Sequence, residues 1–211
     1  MQRNEHTRAL IAAAALSVGA VAGAAGCASG RSHEAAKPEA QLLGIEVKGD
    51  TETEKYDLNG DSKSDVLKIY VLRGAKEDGD KRPRVLARQD LDLDFDGDID
   101  VRRHFNEQGV VVREEMDLDF DGQFDAVDYY AEGELYRRDM ALNFEGKPTI
   151  VKFYTQNKLV RKERDANGDT KMDTFEYYEG GKLMRVGVDR DGDERPDVYT
   201  DVPQESTGTQ G

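Results

Sequence analysis

Cysteine occurs once in this 211-residue chain and histidine three times. The single Cys27 has no partner for an internal disulfide. His6 and His33 fall in the N-terminal leader and the linker behind it. His104, near Arg102, sits on a segment of strand character, the setting of an exposed strand histidine rather than a base. No Ser/His/Asp arrangement, phosphate-cradling glycine loop or zinc-spaced His/Cys set is present. Clustered aspartates could host a two-metal hydrolase, but their recurrence at a fixed period argues for structure, so the chain reads as a non-enzyme. Basic excess is also missing. A formal net charge of −14 argues against nucleic acid and fits cations as partners. Apolar residues make up 37% and charged residues 35%, so the core must be thin or spread out.

A long apolar run occurs in one place. Arg3 and Arg8 precede an uncharged, Ala-rich stretch from Ala9 to Gly26, which ends at Cys27. Such a run reads as a signal peptide (1–26) rather than a membrane span. The stretch Ala24-Ala25-Gly26-Cys27 resembles the lipobox of bacterial lipoproteins. That resemblance implies a lipidated Cys27 thiol, cleavage before it and acylation of the new N-terminus, so that buried acyl chains (palmitate among them) hold the protein at a membrane. Ala28, where Asp would imply inner-membrane retention, implies the outer membrane; periplasmic and surface faces stay open. A plain secretory signal with an incidental cysteine is the competing reading. Removing Arg3, Arg8 and Glu5 leaves a mature charge of −15.

Residues 27–41 read as a flexible tether. Leu42 to Val47 alternates as a first strand. From Asp57 onward the chain repeats. Acidic loops begin at Asp57, Asp92, Asp117, Ala141, Asp165 and Asp189, with steps of 35, 25, 24, 24 and 24 residues. A fixed period of this size marks a modular array. Five loops place carboxylates or carboxamides at relative positions 1, 3, 5 and 9. They are Asp57, Asn59, Asp61 and Asp65; Asp92, Asp94, Asp96 and Asp100; Asp117, Asp119, Asp121 and Asp125; Asp165, Asn167, Asp169 and Asp173; and Asp189, Asp191, Asp193 and Asp197. The fourth loop has decayed to Ala141, Asn143, Glu145 and Thr149 and is expected to bind no metal. The long first step contains an insertion, 74–83, read as an exposed hairpin loop.

Like charges this close repel unless a cation joins them. Calcium takes six to eight oxygens in irregular geometry, and alternating positions 1, 3 and 5 let three side chains converge on one centre. Position 6 is Gly97 or Gly122 in two loops but Ser62, Thr170 and Glu194 in the others, which must strain there or turn at Gly60, Gly168 and Gly192. Asp/Asn/Gly-rich bends also occur merely as solvated turns; five at one spacing favour calcium.

After each loop come β-branched and aromatic residues, such as Val66–Tyr70, Ala126–Tyr130 and Thr174–Tyr178, then Glu132-Gly133, Gln156-Asn157 or Gly180-Gly181 as tight turns. Each unit is strand, turn, strand, loop. The sequence therefore predicts an all-β antiparallel hairpin meander of about eleven strands over 42–201, then a disordered tail over 202–211. A single-layer or superhelical sheet suits residues apolar on both faces; a closed barrel is the alternative. Two-residue turns set position 14 (Tyr70, Phe105, Tyr130, Tyr154, Tyr178) opposite position 19 (Leu86, Val111, Leu135, Leu159, Leu183). They also set position 12 opposite position 21 (Arg88, Arg113, Arg137, Arg161, Arg185). Position 12 is Asp128 or Glu176 in two units but Lys68, Arg103 or Lys152 in three, so no simple salt-bridge ladder is expected, and the arginines are expected to stack on neighbouring aromatic rings.

The loops resemble the calcium loops of integrin-type (FG-GAP) repeats, D-x-[DN]-x-D-G-x-x-D leading into a strand. An EF-hand would need Glu at position 12, where Lys68, Arg103, Asp128, Glu176 and Thr200 stand. Lipobox plus acidic hairpin repeats is similar to a family of lipoproteins of double-membraned bacteria. The resemblance implies a calcium-binding, lipid-anchored envelope protein acting as scaffold or adhesion surface, with an envelope protein as one possible partner. The alternative is a module that captures a peptide or glycan on an exposed Tyr/Arg sheet face.

Overall fold

A computed structural model of the chain describes residues 40–74, 82–142 and 146–204, the side chains at 141 and 142 excepted. The signal segment, Cys27, nearly all of the tether, the centre of the 74–83 insertion, Asn143, Glu145 and the last seven tail residues lie outside the described residues. Among those described, no helix is long and apolar enough to cross a membrane.

Thirteen strands form one antiparallel sheet: β1 Gln41–Lys48, β2 Thr51–Asp57, β3 Val66–Leu72, β4 Arg84–Leu91, β5 Val101–Phe105, β6 Val111–Met116, β7 Ala126–Ala131, β8 Glu134–Leu142, β9 Pro148–Thr155, β10 Lys158–Arg164, β11 Thr174–Glu179, β12 Lys182–Val188 and β13 Val198–Asp201. Their order in space is their order in sequence, so the fold is the expected meander. The sheet is open: β1 pairs only with β2, and β13 only with β12, so no barrel closes among the described residues. Both faces carry ion-paired side chains, which leaves no single apolar face to roll inward.

The count of eleven is corrected by β2 and β13. Strand β2 reads Thr-Glu-Thr-Glu-Lys-Tyr-Asp, with only Tyr56 as an aromatic marker, yet it is closed onto β1 by a two-residue turn at Gly49-Asp50. Strand β13 follows the last loop as β3 follows the first, as half of a further hairpin. Beyond it Val202 N–H still donates to Met184 O at 2.8 Å.

All five expected 14-to-19 pairs form: Tyr70–Leu86, Phe105–Val111, Tyr130–Leu135, Tyr154–Leu159 and Tyr178–Leu183. The 12-to-21 pairing does not. Every one of these hairpins carries a β-bulge one step further along, which skips position 20 and slides position 21 opposite position 13. Arg137 thus opposes Tyr129, Arg161 opposes Phe153 and Arg185 opposes Tyr177. Stacking follows: the Arg161 guanidinium lies 4.2 Å from the Phe153 ring centre, and Arg137 lies 5.5 Å from that of Tyr129.

The bulge also rewrites the charge pairing, so the expectation of no ladder is overturned. On one face four of the five position-21 arginines meet the acid two residues on: Arg88 with Asp90, Arg113 with Glu115, Arg137 with Asp139 and Arg161 with Glu163; Arg185, with Gly187 at that place, pairs with Asp201 instead. On the other, positions 12 and 22 make a second row, with Arg103 on Glu114, Arg138 on Asp128 and Lys162 on Glu176.

The apolar core is thin and lies along the loop edge. Of the eight buried apolar residues among those described, Val66, Leu91, Met116, Ala126, Val127, Val151 and Phe175 stand within two residues of a loop; Leu72 is the exception. Closing the loops and drying the core are therefore one event.

Candidate metal centres

Each acidic loop is tied into the sheet by its backbone. The position-9 N–H donates to the carbonyl just before position 1: Asp65 to Tyr56, Asp100 to Leu91, Asp125 to Met116, Asp173 to Arg164 and Asp197 to Val188, at 2.8–3.0 Å. The N–H of position 1 donates to the position-9 carbonyl of the preceding loop, as Asp92 does to Asp65 and Asp117 to Asp100, both at 2.8 Å. Even the decayed fourth loop keeps this bond, from Asp165 to Thr149 at 2.9 Å.

The side chains then organise each loop from within. Asp57 accepts from Gly60 N–H at 2.6 Å and Ser62 N–H at 2.8 Å; Asp117 accepts from Phe120 and Gly122, both at 2.7 Å; Asp189 accepts from Gly192 and Glu194 at 2.8 and 2.7 Å. Asp92 and Asp165 do the same toward positions 4 and 6 of their loops. Position 9 accepts from position 2, as in Asp125 from Leu118 at 2.8 Å and Asp197 from Arg190 at 2.8 Å. Position 5 accepts from position 7, as in Asp61 from Lys63 at 2.7 Å and Asp96 from Asp98 at 2.8 Å.

Making these bonds requires left-handed backbone twice per loop, at positions 4 and 6. Glycine supplies one of the two in every case: Gly60 with Ser62, Gly168 with Thr170 and Gly192 with Glu194, or Gly97 with Phe95 and Gly122 with Phe120. The sequence expectation of one turn point, at position 6 or at position 4, is thereby corrected. All five loops share one conformation and each carries one residue in a costly φ.

Carboxylates converge most clearly in three loops. One oxygen from each of Asp92, Asp94 and Asp96 lies within 4.8 Å of the others, and the same holds for Asp117, Asp119 and Asp125 and for Asp189, Asp191 and Asp197. Asp100, Asp121 and Asp193 stand outside these triplets. The loops of Asp57 and Asp165 have Asn59 and Asn167 at position 3, so no three of their carboxylates form such a group.

Electrostatics draws a narrower line, setting the second and third loops apart from the first and the sixth. Burial pushes the Asp92 and Asp100 carboxyls above the ordinary value, the N–H donors of Phe95 and Gly97 or of Leu93 and Asp94 oppose it, and neighbouring aspartates add to the rise. The charge of Asp125, followed by burial and by Asp121 and Asp117, pushes Asp119 up. Burial acts upward on Asp57 and Asp189 too, but four backbone N–H donors each outweigh it and hold both below the usual range. The second and third loops thus hold negative charge that their own donors do not balance. Their donor set is all oxygen, which suits a hard divalent cation.

Sequence reading missed the paired rows of charge on the sheet. A signal existed: Arg-x-Asp/Glu recurs at 88–90, 113–115, 137–139 and 161–163. It also missed the buried sheet acids Glu54, Asp90, Asp128 and Asp139.

No family model matches the chain, and no curated protein matches it. Among solved structures it is similar to an assembly of accessory secretory proteins 1, 2 and 3 of Streptococcus pneumoniae, at 14% identity and a TM-score of 0.37 over 60% of this chain and 21% of that one. It is also similar to the Gap123 glycosylation-associated complex of Streptococcus agalactiae (12%, TM-score 0.27, 57% and 18%). A third is the pneumococcal O-GlcNAc transferase GtfA (16%, TM-score 0.26, 59% and 19%). The chain spans about a fifth of the length of each. Likeness at this level carries no argument about function.

Proposed function

We propose that this chain is a lipid-anchored protein of the bacterial outer membrane that binds calcium through its five acidic loops and serves as a scaffold or adhesion surface. The observation that carries the reading is the convergence of three carboxylates in each of three loops of one conformation, two of which hold carboxyls pushed upward, by burial first at Asp92 and Asp100 and by the charge of Asp125 first at Asp119. Calcium suits the set better than magnesium, because four carboxylate or carboxamide positions on a nine-residue loop offer many oxygens without octahedral order. The twenty ligand positions carry eighteen aspartates, so five calcium ions would offset more than half of that charge. Cys27 would supply the acyl anchor and the Tyr/Arg face a surface for partners.

Calorimetric titration of the mature chain with calcium tests this reading. The expected stoichiometry lies between three and five, with the second and third loops binding most tightly and magnesium competing poorly. A stoichiometry below two contradicts it.

A further inference from the structure

The fourth repeat departs from its neighbours in a second place besides its decayed loop. On the face that carries positions 12, 14 and 22, side chains from adjacent strands form a row: Glu54, Lys68, Gln89, Arg103, Glu114, Asp128, Arg138, Lys152, Lys162 and Glu176. Elsewhere in the row each cation borders or lies one strand from an acid. At β8, β9 and β10 three cations stand side by side. Arg138 is held by both oxygens of Asp128 and Lys162 by both oxygens of Glu176. Lys152, half-buried between them, has no carboxylate; burial first, then the charges of Arg138 and Lys162, lower its ammonium below the ordinary value.

The hydroxyl above it tells the same story. At position 14, Tyr70 donates to Glu54 at 3.1 Å, Tyr130 to Asp128 at 3.3 Å and Tyr178 to Glu176. Tyr154 alone among these tyrosines has no acceptor, because position 12 of its own strand is Lys152 where Tyr130 and Tyr178 have an acid. Lys152 thus stands where the repeats on either side have a carboxylate, and leaves a hydroxyl and an ammonium without an acid between two flanking cations.

We infer that Lys152 and Tyr154, flanked by Arg138 and Lys162, bind the carboxylate of an acidic saccharide. Charge complementarity selects the anion. The position selects the carrier: β9 is central, its backbone donors and acceptors are consumed by β8 and β10, and an extended peptide has no edge to pair with. Side-chain hydroxyl, ammonium and guanidinium groups on a half-buried surface with Tyr130, Tyr154 and Tyr178 suit a sugar ring bearing a carboxylate. The site stands independently of calcium in the loops.

The test is calorimetric titration of the full chain, at saturating calcium, with trigalacturonate, neutral galactotriose and a triglutamate peptide. Trigalacturonate should bind, and the other two should bind at least about tenfold more weakly. Lys152→Gln should weaken trigalacturonate about tenfold or more, as expected for a lost charge-assisted hydrogen bond. Lys152→Glu should abolish binding and raise the melting temperature, since it restores the carboxylate its neighbours possess and shows that loss of binding is not loss of fold. Trigalacturonate binding that ignores both substitutions and vanishes with chelator reports bridging at the loops and overturns this site, leaving calcium binding intact. Equal binding of triglutamate, or no trigalacturonate binding by the native chain, also overturns it.

Discussion

At the scale of single residues, the loops show what the fold tolerates in order to aim its carboxylates. A non-glycine residue at positive φ costs about 1–2 kcal/mol, and each loop carries one. Thr170, at φ 74°, is the least suited because its side chain is β-branched. Thr170→Gly keeps the N–H that donates to Asp165 and relieves the strain, against the greater freedom glycine gives the unfolded chain. Equilibrium denaturation should show a gain of roughly 0.5–1 kcal/mol. The sequence made the glycine half of this pattern legible and offered strain at Ser62, Thr170 and Glu194 as one of two alternatives, but it bore no mark of left-handed backbone at Phe95 and Phe120, whose loops already have glycine at position 6. Tyrosine ionisation offers a second residue-scale readout. Burial, then the charge or hydrogen bond of an adjacent carboxylate, pushes Tyr56, Tyr130 and Tyr178 up to about 12, and Tyr70, Tyr154 and Tyr177 also rise. A raised folded-state value favours the neutral phenol, so this stability is fully present below the unfolded value near 10 and is lost as pH rises through the folded values. Spectrophotometric titration should resolve a late step near pH 12 that collapses to a single step near 10 in denaturant; a single early step in the native protein would contradict the packing described.

At the scale of the hairpin, the bulge is the feature that sequence reading lost. Turn residues and the Tyr/Leu pairs announced the strands and the first cross-strand contact. Nothing in Ala87, Val112, Tyr136, Val160 or Met184 announced that the chain would skip them. Strand β2 was lost for a related reason: its alternation is polar on both faces and gains sense only beside Arg84 and Tyr70, both bonded to Glu54. The bulge turns isolated charges into two ladders, and these differ in weight from end to end. Asp128 is almost fully buried and bound at both oxygens by Arg138, whereas Arg185 and Asp201 are exposed. Removing Arg138 strands a buried charge, so Arg138→Ala should cost about 2–3 kcal/mol, at the low end for buried pairs because the arginine itself is a third exposed. Arg185→Ala should be indistinguishable from the parent in the same denaturation experiment. Equal costs would mean that the ladder's geometry does not govern its energetics.

At the scale of the whole sheet, the notable fact is where the dry residues lie. A single layer has no second layer to bury its faces, and six of the eight buried apolar side chains among the described residues gather beside the five loops whose ligand positions hold eighteen aspartates. The period of 24 residues made that array legible from sequence, and the carboxylate pattern marked the aspartates that converge in three of its loops. What the sequence left open was that loop closure and core burial share the same residues. If calcium balances the loops, its removal must loosen the core as well. Binding at 100 times the dissociation constant contributes about 2.7 kcal/mol per site, and for a chain of this size 1 kcal/mol moves the midpoint by about 2–4 °C. Two occupied loops therefore correspond to a shift of roughly 10–20 °C. The most direct measurement is thermal unfolding of the mature chain by circular dichroism, with calcium and then with chelator at the same ionic strength. The account predicts a drop of that size, reversed by restoring calcium and not by magnesium; the same β-structure melting within about 2 °C in chelator would contradict it.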